Sequence, residues 1–269
     1  MAELTVGIAG LGAIGLHLAR ALDAGVQGLR LTAVAAREHA KASANLAGFR
    51  TAPKLVSLGG LAAHADIVVE AAPAAVFEEV AAAAIERGRV FVPSSVGALL
   101  PRMHLVERAK ATGARIVVPT GALLGLDAVR AAAEGEVASV TIETRKPPRG
   151  LAGAPYLDRH GIDVAAITTA TRVFAGNAFD AARGFPANVN VAAALALAGI
   201  GPERTTVEIW ADPGVTRNTH TIRVEAAAAR LTMTIENVPS EENPRTGKIT
   251  PLSILACLRG LTSTLKVGS

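Results

Sequence analysis

Cysteine is nearly absent from this chain. Its 269 residues hold one, Cys257. No intrachain disulfide can form, and the composition suits a reducing cytoplasm. Cys257 falls in the apolar run Leu252 to Leu258 and reads as a small core residue. Aromatics are also scarce, with one Trp, one Tyr and six Phe. Lys and Arg are scattered rather than clustered, so neither the stacking platform nor the basic stripe of a nucleic-acid binder is present. Long hydrophobic runs are missing too. Val189 to Ile200 is too short to cross a bilayer and is interrupted by Asn190 and Gly199. Met1 to Val6 leads straight into a strand pattern, so no signal peptide is expected. One Cys and six His without close spacing make no metal set, and no G-x-S-x-G elbow supports a serine hydrolase. What remains is an interior of Ala, Val, Leu and Ile suited to helices packed on a sheet. The mild net charge of +4 fits an anionic cofactor and an acidic substrate alike.

The N-terminal half alternates strands and helices. Strands are expected at Leu4 to Ala9, Leu31 to Ala36, Asp66 to Ala71, Val90 to Pro93 and Arg115 to Val118. Helices are expected at Leu16 to Leu22, Ala74 to Arg87 and Arg102 to Thr112. This order implies a doubly wound parallel sheet with right-handed crossovers. After Pro119 the texture changes to period-two alternation. Val137 to Arg145, Val207 to Ala211, His220 to Ala226 and Leu231 to Glu236 read as strands of an open mixed sheet with one wet face. Gly150 to Ile162 reads as a loop, Asn188 to Gly199 as an apolar helix, and Pro251 to Lys266 as a final helix returning to the first domain. The expected class is α/β: a Rossmann domain of residues 1–119 and 245–269, and an α+β substrate and dimerisation domain of residues 120–244.

Gly10-Leu11-Gly12-Ala13-Ile14-Gly15 follows a strand and opens a helix. Gly10 permits the tight turn, Gly12 lets a pyrophosphate approach the backbone, and Gly15 lets helix and strand touch. The N–H groups and positive end of the helix, at Ala13 and Ile14, then face the phosphates. At the end of the second strand stands Ala35-Ala36-Arg37-Glu38. Arg37 occupies the place where an acid often holds the ribose 2′-hydroxyl. It reads either as a residue accommodating the 2′-phosphate of NADP or as a solvated surface charge.

Six stretches together resemble the L-aspartate dehydrogenase family: GIAGLGAIG (7–15), VVEAA (68–72), VPTGALLGLD (118–127), FPANVNVAAALALAG (185–199), ADPGVTRNTHTI (211–222), and residues 236–246, which carry an extra Glu at 241–242. The chain departs from the family's usual Pro-Ser-Gly-Ala at Pro119-Thr120-Gly121-Ala122, where Thr keeps the hydroxyl. Arg37 departs from what strict NAD preference requires. The resemblance implies reversible oxidative deamination of L-aspartate to iminoaspartate, then oxaloacetate and ammonia, with NAD or NADP as cofactor. In many organisms this feeds quinolinate and NAD synthesis. It places the catalytic histidine on His220 and further cofactor contacts on Ala122 and Asn190, and it implies a homodimer.

The chemistry asks for matching residues. Hydride leaves Cα only when the amine is neutral, so a proton must be taken up, and a histidine titrating near neutrality suits that task. His17, His39, His64 and His104 read as surface residues, while His160 sits in a loop that could close over a substrate. His220 follows the turn Asp212-Pro213-Gly214. Asn218, two residues earlier on a strand, would project on the same side. Asn188 suits a helix N-cap, leaving Asn190 for the cofactor carboxamide. The substrate's two carboxylates need donors. Candidates are Lys146, Arg145, Arg217, Arg245 and Lys248, with Thr120 and Gly121 as neutral donors, and the sequence does not rank them. The reaction is expected in the cleft between the two domains. Two other readings stand beside this one: a related dehydrogenase acting on another amino acid or dicarboxylate, and a non-catalytic NAD(P)-binding sensor.

Overall fold

The computed structural model describes residues 3–187, 189–241 and 247–268. Asn188 and Arg245, two residues singled out above, lie outside them. The chain divides into two compact units. One comprises Met1–Ser95, Arg102–Pro119 and Thr250–Val267; the other comprises Val96–Pro101, Thr120–Ile249 and Gly268–Ser269.

The first unit begins with β1 (Leu4–Ala9), α1 (Ala13–Ala24), β2 (Leu29–Ala35), α2 (His39–Leu46) and β3 (Lys54–Leu55). It continues with β4 (Ile67–Glu70), α3 (Phe77–Glu86), β5 (Val90–Pro93), α4 (His104–Thr112) and β6 (Arg115–Ile116). The six strands form one parallel sheet in the order β3-β2-β1-β4-β5-β6. The order reverses at β1, which lies between β2 and β4. β4 is buried along its whole length, which is why its sequence is a continuous apolar run broken only by Glu70. Val6, Ile8, Leu18, Leu22, Leu31, Ile67 and Val92 pack into a single core.

The second unit holds α5 (Leu126–Ala133), β7 (Val137–Lys146), α6 (Pro155–Arg159), β8 (Thr171–Asn177), α7 (Ala178–Gly184), α8 (Asn190–Ala198), β9 (Thr205–Ala211), β10 (Asn218–Ala226) and β11 (Arg230–Asn237). Its sheet is mixed, in the order β11-β10-β7-β9-β8, with β7 and β9 parallel and the other pairs antiparallel. One face is buried: Val140, Ile142, Thr144 and Lys146 on β7, His220, Ile222 and Val224 on β10, and Val207, Ile209 and Ala211 on β9. α8 supplies a nearly all-apolar partner layer, and at its end Gly199 comes close to Val129 of α5 and Val140 of β7. The opposite face is polar. Arg145 lies 4.6 Å over the Trp210 ring and pairs with Glu143 and Asp212, while Arg223 pairs with Glu143 and Arg172 with Glu208.

The last helix, α9 (Ile249–Gly260), returns to the first unit, where Ile254 and Leu258 complete the β1–β4 core. It stops at Gly260, six residues before the expected end, as Leu261 and Thr262 turn back on Leu258 and Arg259. The expected loop Gly150 to Ile162 is a correction, since it contains α6. Pro155 stands at the first helical position, where its fixed φ is already helical, and Leu157 is buried. β8 escaped the alternation rule because a register shift between Arg172 and Phe174 breaks its period of two. α7 has its N-cap in Asn177, whose Oδ1 accepts from the Asp180 N–H at 2.9 Å.

Candidate active site

The glycine turn is built as the sequence anticipates. Gly10 has φ +93°, and a Cβ there would sit 2.5 Å from the Ala71 carbonyl oxygen. A Cβ on Gly15 would overlap the Gly10 carbonyl, so α1 can rest against the turn only because both residues are glycine. At Gly12 an added Cβ would meet nothing within 4 Å. That space lies directly before the first turn of α1, and Gly12 provides no side-chain cap. The N–H groups at the start of a helix have no intrahelical acceptor. Ala13 and Ile14 therefore border open space with unpaired backbone donors, as phosphate binding at a helix start requires. Arg37 lies two residues beyond β2, with its side chain 91% exposed and 3.9 Å from Glu38.

Sequence reasoning missed Glu70 as an individual residue, although it stands inside the VVEAA stretch. Its carboxylate is fully buried at the end of β4. It accepts from the Ala72 N–H at 3.0 Å, the Ser95 N–H at 2.9 Å and the Ser95 hydroxyl at 3.1 Å. Burial pushes its pKa up, and those hydrogen bonds work in the opposite direction. Glu70 thereby fixes the Ala71–Ala72 backbone that Gly10 packs against. The signal was available: a charge at the end of an otherwise apolar buried strand.

In the second unit His220 is 3% exposed. It lies directly opposite Thr144 across the β10–β7 pair, and Thr144 Oγ1 lies 3.0 Å from His220 Nδ1. The tautomer decides which of the two donates, and Nε2 is the nitrogen that remains for chemistry. Burial and the neighbouring positive charge of Lys146 push the imidazole down to about 3. This corrects the expectation of a histidine titrating near neutrality: in the substrate-free protein His220 is neutral throughout the physiological range.

Asn218 opens β10 two residues before His220 and is half-buried, paired in register with Asn237 of β11. Asn237 donates through Nδ2 to the Ala122 carbonyl at 3.0 Å. Residues 120–123 form a turn closed by the Leu123 N–H on the Thr120 carbonyl, and Gly121 takes φ +67° within it. Thr120, Gly121 and Ala122 are thus tied to the end of β11, next to the strand that carries His220. Asn190, the first residue of α8, is anchored differently. Its Oδ1 accepts from the Gly97 N–H at 2.9 Å, which orients the amide while the residue stays exposed. A Cβ on Gly97 would sit 2.5 Å from Val189, so that approach also requires glycine.

The carboxylate-binding candidates separate cleanly. Arg145 lies on the polar face of the sheet among Glu143, Asp212 and Trp210. Arg217 is exposed. Lys248 donates to Glu241 at 2.7 Å, and both are exposed. Among the described candidates, Lys146 alone shares the buried face with His220. His160 is exposed and stacked on Tyr156 with ring centroids 3.9 Å apart, which accounts for it without a catalytic role.

Comparison with known proteins adds an independent line. Residues 127–261 match the family model described as aspartate dehydrogenase, C-terminal, and residues 10–119 match the one described as homoserine dehydrogenase, NAD binding domain. The chain is 53% identical to an L-aspartate dehydrogenase of Bradyrhizobium diazoefficiens, over 99% of this chain and 95% of that one. It is 50% identical to L-aspartate dehydrogenase 3 of Bordetella bronchiseptica, over 99% and 98%. Its structure superposes on the crystal structure of aspartate dehydrogenase from Thermotoga maritima with a TM-score of 0.72, at 28% identity, over 98% of this chain and 99% of that one.

Proposed function

The chain belongs to the aspartate dehydrogenase family, and from that premise we propose that it oxidises L-aspartate at Cα with NAD or NADP. The products are iminoaspartate and reduced cofactor, and water then converts the imine to oxaloacetate and ammonia. When bound, the nicotinamide accepts the Cα hydride. The residues suited to hold the dinucleotide are Gly10, Gly12, Ala13, Ile14 and Gly15 at the start of α1, with Arg37 for the adenosine ribose and Ala122 and Asn190 for the nicotinamide. The open space at Gly12 supports the first group, and the anchored amide supports Asn190.

The observation that carries the catalytic reading is the buried His220–Thr144 pair. Thr144 fixes the ring through Nδ1, so Nε2 has one defined direction in which to take a proton. A base held near 3 is weak, but a bound dicarboxylate changes its surroundings. Negative charge within ~4–6 Å favours the imidazolium. The substrate therefore raises the basicity of the group that must deprotonate its own ammonium or the attacking water. Thr120, Gly121 and Asn218 would orient the substrate through neutral hydrogen bonds, whereas the ion pair of Lys248 with exposed Glu241 argues against that lysine as a carboxylate ligand.

The test is spectrophotometric: reduced cofactor forms when L-aspartate is added with NAD or NADP. Faster turnover of another amino acid or dicarboxylate would replace the substrate assignment, and cofactor binding with no turnover of any amino acid would favour a sensor. We further propose a homodimer formed through the polar face of the second sheet, where Glu143, Arg145, Glu208 and Trp210 are partly shielded; light scattering measures the mass. Among the described residues no helix is long and apolar enough to cross a membrane. A cytoplasmic location is supported by the single cysteine.

A further inference from the structure

A buried polar atom without a partner costs free energy in the ligand-free protein and calls for a reason. Asn237, the last residue of β11 and 4% exposed, carries such an atom. Its Nδ2 donates to the Ala122 carbonyl at 3.0 Å, whereas its Oδ1 is buried with no hydrogen-bond partner among the described residues. The amide cannot turn over to relieve this, because its oxygen would then face the Ala122 oxygen. Gly247 lies against Oδ1 and has no side chain to cover it; a Cβ there would stand 3.1 Å away. The bridge between Pro239 and Gly247, and the Lys248 N–H on the Val238 carbonyl at 2.8 Å, hold that glycine in place. Strand register decides what lies near the oxygen. Asn237 pairs with Asn218, and Ile235 with His220. Paired residues share a face, as do residues two apart on one strand. Asn237, Asn218 and His220 therefore project to one side of the sheet. Asn237 and His220 are diagonal neighbours across β10 and β11, a spacing of about 7–8 Å on such a face, which leaves room for one small polar group to reach both side chains.

We infer that Asn237 Oδ1 accepts a hydrogen bond from the α-ammonium of a bound amino acid and so holds that nitrogen beside His220. This rests on the aspartate dehydrogenase reading and deepens it, by assigning the residue that recognises the substrate's amine. An unpaired acceptor selects for a donor. Ionised carboxylates only accept, so the ammonium is the donor that L-aspartate brings at neutral pH, and its N–H groups suffice for Oδ1 and for His220 Nε2 together. One amide thus has two tasks: Nδ2 ties down the turn at Ala122, and Oδ1 reads the nitrogen. A ligand of the same shape without an amine leaves Oδ1 unpaired, so the residue favours the amino acid over its amine-free analogues.

The experiment titrates the full-length protein, loaded with NADH or NADPH so that no turnover occurs, with L-aspartate and with succinate, which has both carboxylates and no amine. Calorimetry reads the two affinities. Asn237→Leu removes the acceptor at similar size. L-Aspartate affinity falls at least ~10-fold, the scale of a lost hydrogen bond to a charged group, and succinate affinity falls less, so the preference for L-aspartate shrinks. Asn237→Asp gives up the bond to Ala122 but keeps an oxygen for the ammonium, and it restores the preference; a role confined to holding the turn would not produce that rescue. Should the leucine chain fail to fold, Gly247→Ala makes the same comparison, since its methyl crowds Oδ1 and spares the Nδ2 bond. An unchanged preference, or an equal loss for both ligands, would overturn the assignment. So would a loss confined to NAD that vanishes with its 3-acetylpyridine analogue, which lacks the carboxamide N–H; the oxygen would then serve the cofactor. An Asn237-dependent preference for L-aspartate in a protein that does not oxidise it would overturn the dehydrogenase reading and leave the amine site standing.

Discussion

The two units solve their binding problems with different materials. The first makes its site from backbone: three glycines, the start of α1 and a buried carboxylate that steadies the neighbouring turn. The second makes its site from side chains set on a buried sheet face, where the environment rather than the residue type decides the charge. A backbone site meets its ligand with groups that do not titrate and, at Gly10 and Gly15, does not tolerate a single added methyl. A side-chain site tolerates small changes of shape and is governed by whatever charge enters it.

The contrast breaks most visibly at His220. His220→Ala is expected to lower kcat at least ~10²-fold, the low end for lost general acid–base catalysis, with NAD(P) affinity retained in a fluorescence titration. Near-normal turnover would remove His220 from the chemistry. Next comes Gly10→Ala, which must place a side chain at φ +93° and 2.5 Å from a carbonyl. It should lose about 1–3 kcal/mol of stability in denaturant unfolding and weaken cofactor binding; an unchanged midpoint and unchanged affinity would show that the turn relaxes freely. Thr144→Val removes the hydrogen bond to Nδ1 at nearly constant volume. About 1 kcal/mol of orientation corresponds to a several-fold lower kcat, and equal turnover would mean that packing alone holds the ring. Arg37→Asp is expected to shift the NADP/NAD ratio of kcat/KM toward NAD by only a few-fold, because the side chain is 91% exposed and solvent screens it; an unaltered ratio makes Arg37 a bystander. The smallest effect is a null one. With a pKa pushed to about 3, the His220 ring-proton resonance of substrate-free protein should not move between about pH 5 and pH 8. A titration midpoint near 6.5 would show that the site is wetter than its burial implies.

The same contrast decides what the sequence discloses. The glycine turn could be read because its geometry admits almost no other residue. The Rossmann strands could be read because a parallel sheet covered on both faces demands apolar runs. Alternation revealed β7, β9, β10 and β11 but not β8, where a bulge breaks the period. The expected strand stopped at Arg145 and left Lys146 outside it; β7 runs on to Lys146, which faces the buried side with Thr144 and His220 while Arg145 faces the other. The pKa of His220 was out of reach, since it depends on burial and on a lysine 74 positions away in the chain. Asn190 could be named as a ligand candidate, but its orientation depends on Gly97, a residue that no motif marks.

The return of α9 to the first unit sets a timetable for synthesis. Ile254 and Leu258 belong to the core around β1 and β4, so the first strands made must wait for nearly the last residues translated before that core can close. Meanwhile a ribosome-bound chain exposes apolar surface on a sheet already assembled from local βα units, a natural target for chaperones. A fragment ending at Pro119 should inherit the same exposed patch permanently and associate with itself, and adding a peptide spanning α9 should relieve it.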